Sequence, residues 1–210
     1  MLLHALHAAN AGYAVVISSE ETDVLVISLA FKTFIATTMF IKTTKQSRTT
    51  SADVSKVVQV VGGQVCRALP GFHTFTGCDS VSAFFGQGKV KALKLLSQNR
   101  SFVQEIGMHW QLEEELAKIS NYLLHSRLFC ARQEKINSNQ LPPCVDCLKL
   151  HAQRANYQAA IWRRSLQPSP EVPTPVDHGW LLDGEGGLSI KWMTGSSSNS
   201  PSRIFVLYLH

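Results

Sequence analysis

The sequence predicts an α/β fold over roughly its first hundred residues: a parallel sheet flanked by helices, then a helical and irregular C-terminal region. Two observations carry this expectation. Ala14–Ser18 (AVVIS) is a compact apolar run of strand length. From Met1 to about Arg100, helix-like and strand-like runs alternate, the pattern that places helices between parallel strands.

Each element has its own signal. Leu2, Leu3, Leu6, His7, Asn10 and Tyr13 suggest a short helix stopped near Gly12. Ala14–Ser18 follows as a buried strand. Thr22–Phe31 is compatible with either helix or strand, because VLVISLAF has no decisive period. Phe34–Lys42 (FIATTMFIK) is β-branched and aromatic and reads as a strand. Ser51 opens a helix with Asp53 in its first turn and Val54, Val57, Val58 and Val61 on one face. Trp110, Leu112, Leu116, Ile119, Tyr122 and Leu123 recur at helical spacing within 101–130. Residues 131–147 read as a loop containing Pro142 and Pro143, and Ala152–Leu166 as a helix. From Gln167 the run PSPEVPTP reads as a linker, with Trp180 and Trp192 of the tail expected to pack back onto the domain. The expected organisation is therefore 1–128, a Cys-containing helical extension over 129–166, and a Pro/Gly/Ser-rich tail over 167–210.

Composition narrows the function classes. In 210 residues, 45% hydrophobic and 17% charged content supplies a core and excludes a disordered charged tail. The net charge of +5 permits a polyanionic partner without demanding one. Five cysteines without framework spacing argue against a disulfide scaffold. The opening MLLHALH lacks the basic segment and apolar run of a secretory signal, and no run reaches the roughly 18 apolar residues of a membrane span. The expectation is an intracellular, reducing location without a membrane partner, nuclear if the partner is nucleic acid.

Three carboxylates and a glycine turn carry the candidate chemistry. Glu21 and Asp23 follow the AVVIS strand, where ligands of parallel sheets gather, and Asp79 sits in the turn-prone run Gly77-Cys78-Asp79-Ser80. Carboxylates converging from separate elements suit a hard cation such as Mg2+ or Mn2+. The plainer alternative is that Glu20 and Glu21 cap and solvate a helix start. Gly86-Gln87-Gly88 then precedes Lys89, Lys91 and Lys94. A glycine turn opening a helix offers backbone N–H groups, and with these lysines it makes a phosphate cradle that reads no bases. An ordinary glycine turn before a solvated lysine helix explains the segment equally well.

The order strand, E-T-D, helix, G-C-D-S, G-Q-G-K-V-K-A resembles the flap-endonuclease group of PIN-like nucleases over about residues 1–100. The resemblance places Glu21 and Asp23 on that group's acidic D-x-D turn and Asp79 on its G-S-D aspartate. Gly86, Gly88 and Ala92 fall on its glycine hairpin. More closely, LLHALHAANAGYAVVISSEETDVLV and LPGFHTFTGCDSVSAFFGQGKVKALKLL resemble an uncharacterised animal family, often mobile-element-like, whose PIN-like region precedes a cysteine-rich, tesmin-type CXC tail; this likeness runs to about residue 195. The resemblance implies metal-dependent phosphodiester hydrolysis. Glu21, Asp23 and Asp79 would hold Mg2+ or Mn2+ and Lys89 and Lys91 would steady the strand, His73 being either a helper or a core histidine.

The departures from that group decide what activity to expect. Its first-strand aspartate and the acidic pair before the opening helix have no counterpart, and Glu21 replaces an aspartate. The expectation is an N-terminally truncated PIN-like domain, inactive as an isolated chain, because a two-metal clamp usually needs more ligands than three. The alternatives are a non-catalytic module binding nucleic acid or protein, or a fragment from an incomplete gene product or splice form.

A second constellation lies further on. Cys144-x2-Cys147-x3-His151, with Cys130 upstream, could close a tetrahedral zinc site whose role would be structural; free thiols are the alternative. Cys66 reads as core. Arg154, Arg163 and Arg164 around Tyr157 and Trp162 could touch nucleic acid, but inward aromatics with solvated arginines are the expected arrangement.

Overall fold

The computed structural model describes residues 1–45, 48–86, 88–98 and 143–193. The chain is mixed α/β, with a small mixed sheet and several helices; β1 buries alternate residues, Val15 and Ile17, and exposes Val16. Helix α1 (Leu2–Asn10) turns at Gly12, φ 85°, into β1 (Val15–Ser18). Helix α2 (Thr22–Phe31) follows, then β2 (Met39–Lys45) and β3 (Arg48–Asp53). Helices α3 (Val54–Val61), α4 (Gly63–Thr76) and α5 (Lys89–Ser97) come next. Beyond residues 99–142 lie α6 (Val145–Arg163) and a small hairpin of β4 (Trp180–Leu182) and β5 (Leu188–Ile190).

The expected all-parallel sheet is corrected. β1 pairs with β2 in parallel, Val15 opposite Met39 through Ser18 opposite Lys42. β2 pairs with β3 antiparallel, from Phe40 opposite Asp53 to Lys45 opposite Arg48. A connection this short permits only antiparallel neighbours, since a parallel pair needs a crossover of about a dozen residues. β3 also replaces the helix start expected at Ser51. Arg48–Asp53 pairs with β2, and α3 begins at Val54, where Asp53 caps it by accepting from the N–H groups of Ser55 and Lys56 at 2.9 and 3.2 Å.

The ambiguous Thr22–Phe31 run is helical. Five consecutive residues, Val26–Ala30, are buried, so the helix is enclosed on every side and its apolar pattern has no stripe. It packs on α4, whose last turns are buried from Pro70 to Thr76. The buried hydroxyls there are satisfied locally: Thr74 donates to the Gly71 carbonyl and Thr76 to the Phe72 carbonyl, both at 2.9 Å.

Two hydrophobic clusters share two helices, α4 and α6. Val15, Ile17, Ile27, Leu29, Ile35, Met39, Ile41 and Val54 form the cluster around the sheet, with Cys66 buried among them as expected. Ala68, Phe72, Phe75, Val81 and Ala92 form the second, where α4 meets α5. Helix α6 gives Leu148, Ala152 and Ala155 to the second cluster and Ala159 and Trp162 to the first. Its small residues recur at helical spacing and allow close approach to α4. Since α6 begins at Val145, Cys147 is helical and not part of the expected loop. Among the described residues no helix is long and apolar enough to cross a membrane. The helix expected over 101–130 and Cys130 lie outside the described residues.

Candidate functional site

The carboxyl end of β1 leads into the acidic turn as expected. Ser19 organises it: its N–H donates to the Lys42 carbonyl at 3.0 Å and its hydroxyl accepts from the Glu21 N–H at 3.1 Å. Glu21 is the N-cap of α2, exposed and without a side-chain cap bond. Asp23, in the first turn, is part-buried. Residues two apart at a helix start do not face each other, so the two carboxylates take different surroundings.

Asp23 faces α4. His73 Nε2 lies 2.7 Å from Asp23 Oδ1, with 5% of the imidazole side chain and 25% of the aspartate side chain exposed. Lys89 Nζ is 3.5 Å from the same nitrogen. One nitrogen cannot donate to the carboxylate and accept from the ammonium together. The shorter contact assigns the proton to Nε2, which donates to Asp23, with Lys89 as a neighbouring cation. The amino end of α2 thus meets the carboxyl end of α4 through an acid and a histidine, with the Asp23 carboxylate at the helix end whose dipole favours a negative charge. Trp162 of α6 stacks on His73, centroids 5.9 Å apart and planes at 23°.

Asp79 stands on a tight turn beyond α4. Gly77 adopts φ 111° and its missing Cβ is replaced by Ala83, whose Cβ would lie 2.7 Å from an added methyl. Cys78 and Val81 then exchange backbone hydrogen bonds at 2.9 and 3.1 Å, leaving Asp79 and Ser80 exposed at the tip. Ser80 donates to Gln158 Oε1 of α6 at 2.6 Å. Burial raises the Cys78 thiol above its usual range, hydrogen bonds with Ser80 oppose this, and the Asp23 charge adds to it. Cys78 is therefore no ready nucleophile.

Of the predicted glycine turn, Gly86 and Gly88 are among the described residues and Gln87 lies outside them. Gly86 has φ 69°, and a Cβ on Gly88 would meet nothing within 4 Å, so packing inside the chain does not require glycine there. Lys89 opens α5 with Lys94 further along it, both exposed, and Lys91 lies between them on the same helix. Ala92, 1% exposed, anchors the helix against Phe75 and its neighbours.

At the start of α6, Cys144 is the cap, its Sγ accepting from the Cys147 N–H at 3.5 Å. Burial, then the hydrogen bond and charge of Cys144, then Asp146, push the Cys147 thiol up to about 11, against the pull of Arg154. His151 is not turned toward these thiols. Its Nε2 lies 2.7 Å from the Phe75 carbonyl and its Nδ1 3.3 Å from Ser82 Oγ. The rings it touches are Phe75 and Phe84. Arg154, expected to be solvated, is half-buried and donates to the Gly179 and Lys191 carbonyls at 3.3 and 3.4 Å. Trp192 is 63% exposed and does not pack back as expected.

Neither predicted ligand set is brought together around one point among the described residues, Cys130 of the zinc set lying outside them. Among the described residues no three His, Cys, Asp or Glu side chains lie together closely enough to hold a metal. One Asp23 oxygen is taken by His73, while Glu21 and Asp79 sit exposed on separate turns. For zinc, both His151 nitrogens are engaged elsewhere. Sequence reasoning gives His73 too little weight, because its partner lies far away in the chain and the run GFHTFTG reads as core. Gln158 and Trp162 have no local signal that would make them neighbours of this site. Comparison with protein-family models, curated proteins and solved structures found no match.

Proposed function

We propose that this chain is a nuclease-derived, PIN-like domain that holds a nucleic-acid backbone without cutting it. The observation that carries this reading is the pair Asp23–His73 at 2.7 Å. The aspartate that the resemblance assigns to Mg2+ or Mn2+ is instead bonded to a buried imidazole beside Lys89. A carboxylate already accepting a short internal hydrogen bond offers a weaker ligand for a hard metal ion, so no hydrolytic step is derived through one.

Binding uses the glycine turn and α5. Gly86 and Gly88 open the helix and Lys89, Lys91 and Lys94 belong to it. The orphan N–H groups of a helix start and adjacent ammonium groups suit phosphate oxygens, contacts that position a strand without reading sequence. A nuclear location accompanies this reading.

The test is fluorescence anisotropy with labelled single strands, flaps and hairpins of DNA and RNA over a salt series, alongside cleavage assays with Mg2+ and Mn2+. The expected result is binding that weakens steeply with salt, weakens further in Lys89→Glu/Lys94→Glu, and is accompanied by no cleavage. Cleavage that disappears in Asp79→Asn would instead establish a working nuclease. Absence of binding at low salt would remove nucleic acid as partner and leave a protein-binding scaffold.

A further inference from the structure

Three sulfur atoms converge where α6 begins. The Cys144 and Cys147 thiols both donate to Met193 Sδ, at 3.7 and 3.1 Å. Met193 lies just beyond β5 and is carried there by a fixed hairpin. Lys191 N–H bonds the Gly179 carbonyl at 3.1 Å, and Arg154 of α6 donates to the carbonyls of both residues. Gly179 itself, φ 83°, sits so close to α6 that a Cβ would come within 2.9 Å of the Leu150 carbonyl. The thioether therefore stands over the two thiols because the hairpin is docked on the same helix that carries them.

We propose that Cys144, Cys147 and Met193 form a three-coordinate site for a soft monovalent cation, Cu(I). Two thiols aimed at one thioether mark the point where a cation would replace two protons. With metal–sulfur bonds of about 2.3 Å, a trigonal site separates its sulfurs by about 4 Å. The thiol–thioether separations of 3.1 and 3.7 Å lie within about 1 Å of this value. Ligand type and number select the metal: thiolate and thioether together favour Cu(I), whereas a structural zinc site takes four ligands. Among the described residues His151, the histidine of the C-x2-C-x3-H run, is held by Phe75 and Ser82. On binding, both thiol protons leave to solvent, two Cu–thiolate bonds form and copper stays at +1, so no electron is transferred. The net negative charge left on the site falls at the amino end of α6, where the helix dipole favours it.

The experiment uses the full chain, reduced and oxygen-free, titrated with Cu(I) against the chromophoric chelator bicinchoninate, followed by copper X-ray absorption. One equivalent is expected to transfer into an all-sulfur shell. Met193→Leu, at a position 44% exposed where the fold tolerates it, should weaken binding by more than about tenfold and remove one sulfur. Cys144→Ser/Cys147→Ser should abolish binding, and Cys130→Ser should leave it unchanged. The proposal is overturned if the chelator keeps the copper, if Met193→Leu binds as wild type, if nitrogen enters the shell, or if Cys130→Ser abolishes binding. Circular dichroism melting of each variant separates ligand loss from unfolding.

Discussion

Trp162 covers the face of His73, ring centroids 5.9 Å apart, while Asp23 holds the edge of the same imidazole at 2.7 Å. A residue of α6 and a residue of α2 thus fix one histidine of α4 from two directions. That arrangement suits a structural joint better than a carboxylate waiting for a metal ion.

Such a joint contributes to stability. His73→Phe keeps the ring but leaves Asp23 part-buried without its donor, and should cost about 1–3 kcal/mol. Asp23→Asn should cost less, and the double variant should cost less than the sum. Urea denaturation of the four proteins measures this coupling; strict additivity would dissolve the joint.

His151 makes stability pH-dependent. Burial lowers its pKa from 6.5 to about 4, the Phe75 carbonyl opposing and the Arg154 charge assisting. The folded value is the lower one, so on acidification the unfolded chain takes up the proton first. The contribution is intact above about pH 6.5 and drains away as pH falls toward 4, a difference on the order of 3 kcal/mol. Urea midpoints between pH 7 and 4.5 should fall less steeply in His151→Gln than in wild type; parallel slopes would locate the acid sensitivity elsewhere.

Gly77 has no substitute. An alanine there meets Ala83 backbone at 2.9 Å while holding φ 111°. Gly77→Ala should lose more than about 1 kcal/mol, visible as a lower melting temperature, whereas Gly88→Ala, with open space around its Cβ, should stay within about 0.5 kcal/mol of wild type.

The contact of α6 with α4 depends on small side chains. Ala152 and Ala159 are fully buried, so Ala152→Leu or Ala159→Leu forces the helices apart at about 1–3 kcal/mol. Chemical denaturation would register that loss, and an unchanged midpoint would mean that slack exists at this seam.

Short-range signals are legible in the sequence and distant ones are not. The AVVIS strand, the first helix with its glycine stop, and the buried Cys66 all lie where short-range pattern and polarity place them. β3 is hidden because Arg-Thr-Thr-Ser-Ala-Asp is polar, and most of it is exposed; its strand character comes from pairing with β2, not from its own residues. Phe34 begins no strand: it ends a short 3-10 turn (Lys32–Phe34), and β2 starts at Met39. The acidic turn is legible as a place, but the partner of Asp23 is not, because only the tertiary fold brings α4 against α2. The same holds for Met193, which nothing in the spacing of Cys144 and Cys147 announces.

Helix α6 also bears on how the molecule comes apart. Because it is seated in both hydrophobic clusters, neither can open while the other keeps its hold on that helix. The slowest-exchanging amides of α4 and α6 should therefore share a single opening free energy and behave as one cooperative unit. A perturbation at the sulfur-bearing end of α6 would then register in the exchange rates around Trp162, at the far end of the same helix, and around His73 of α4, on which it stacks.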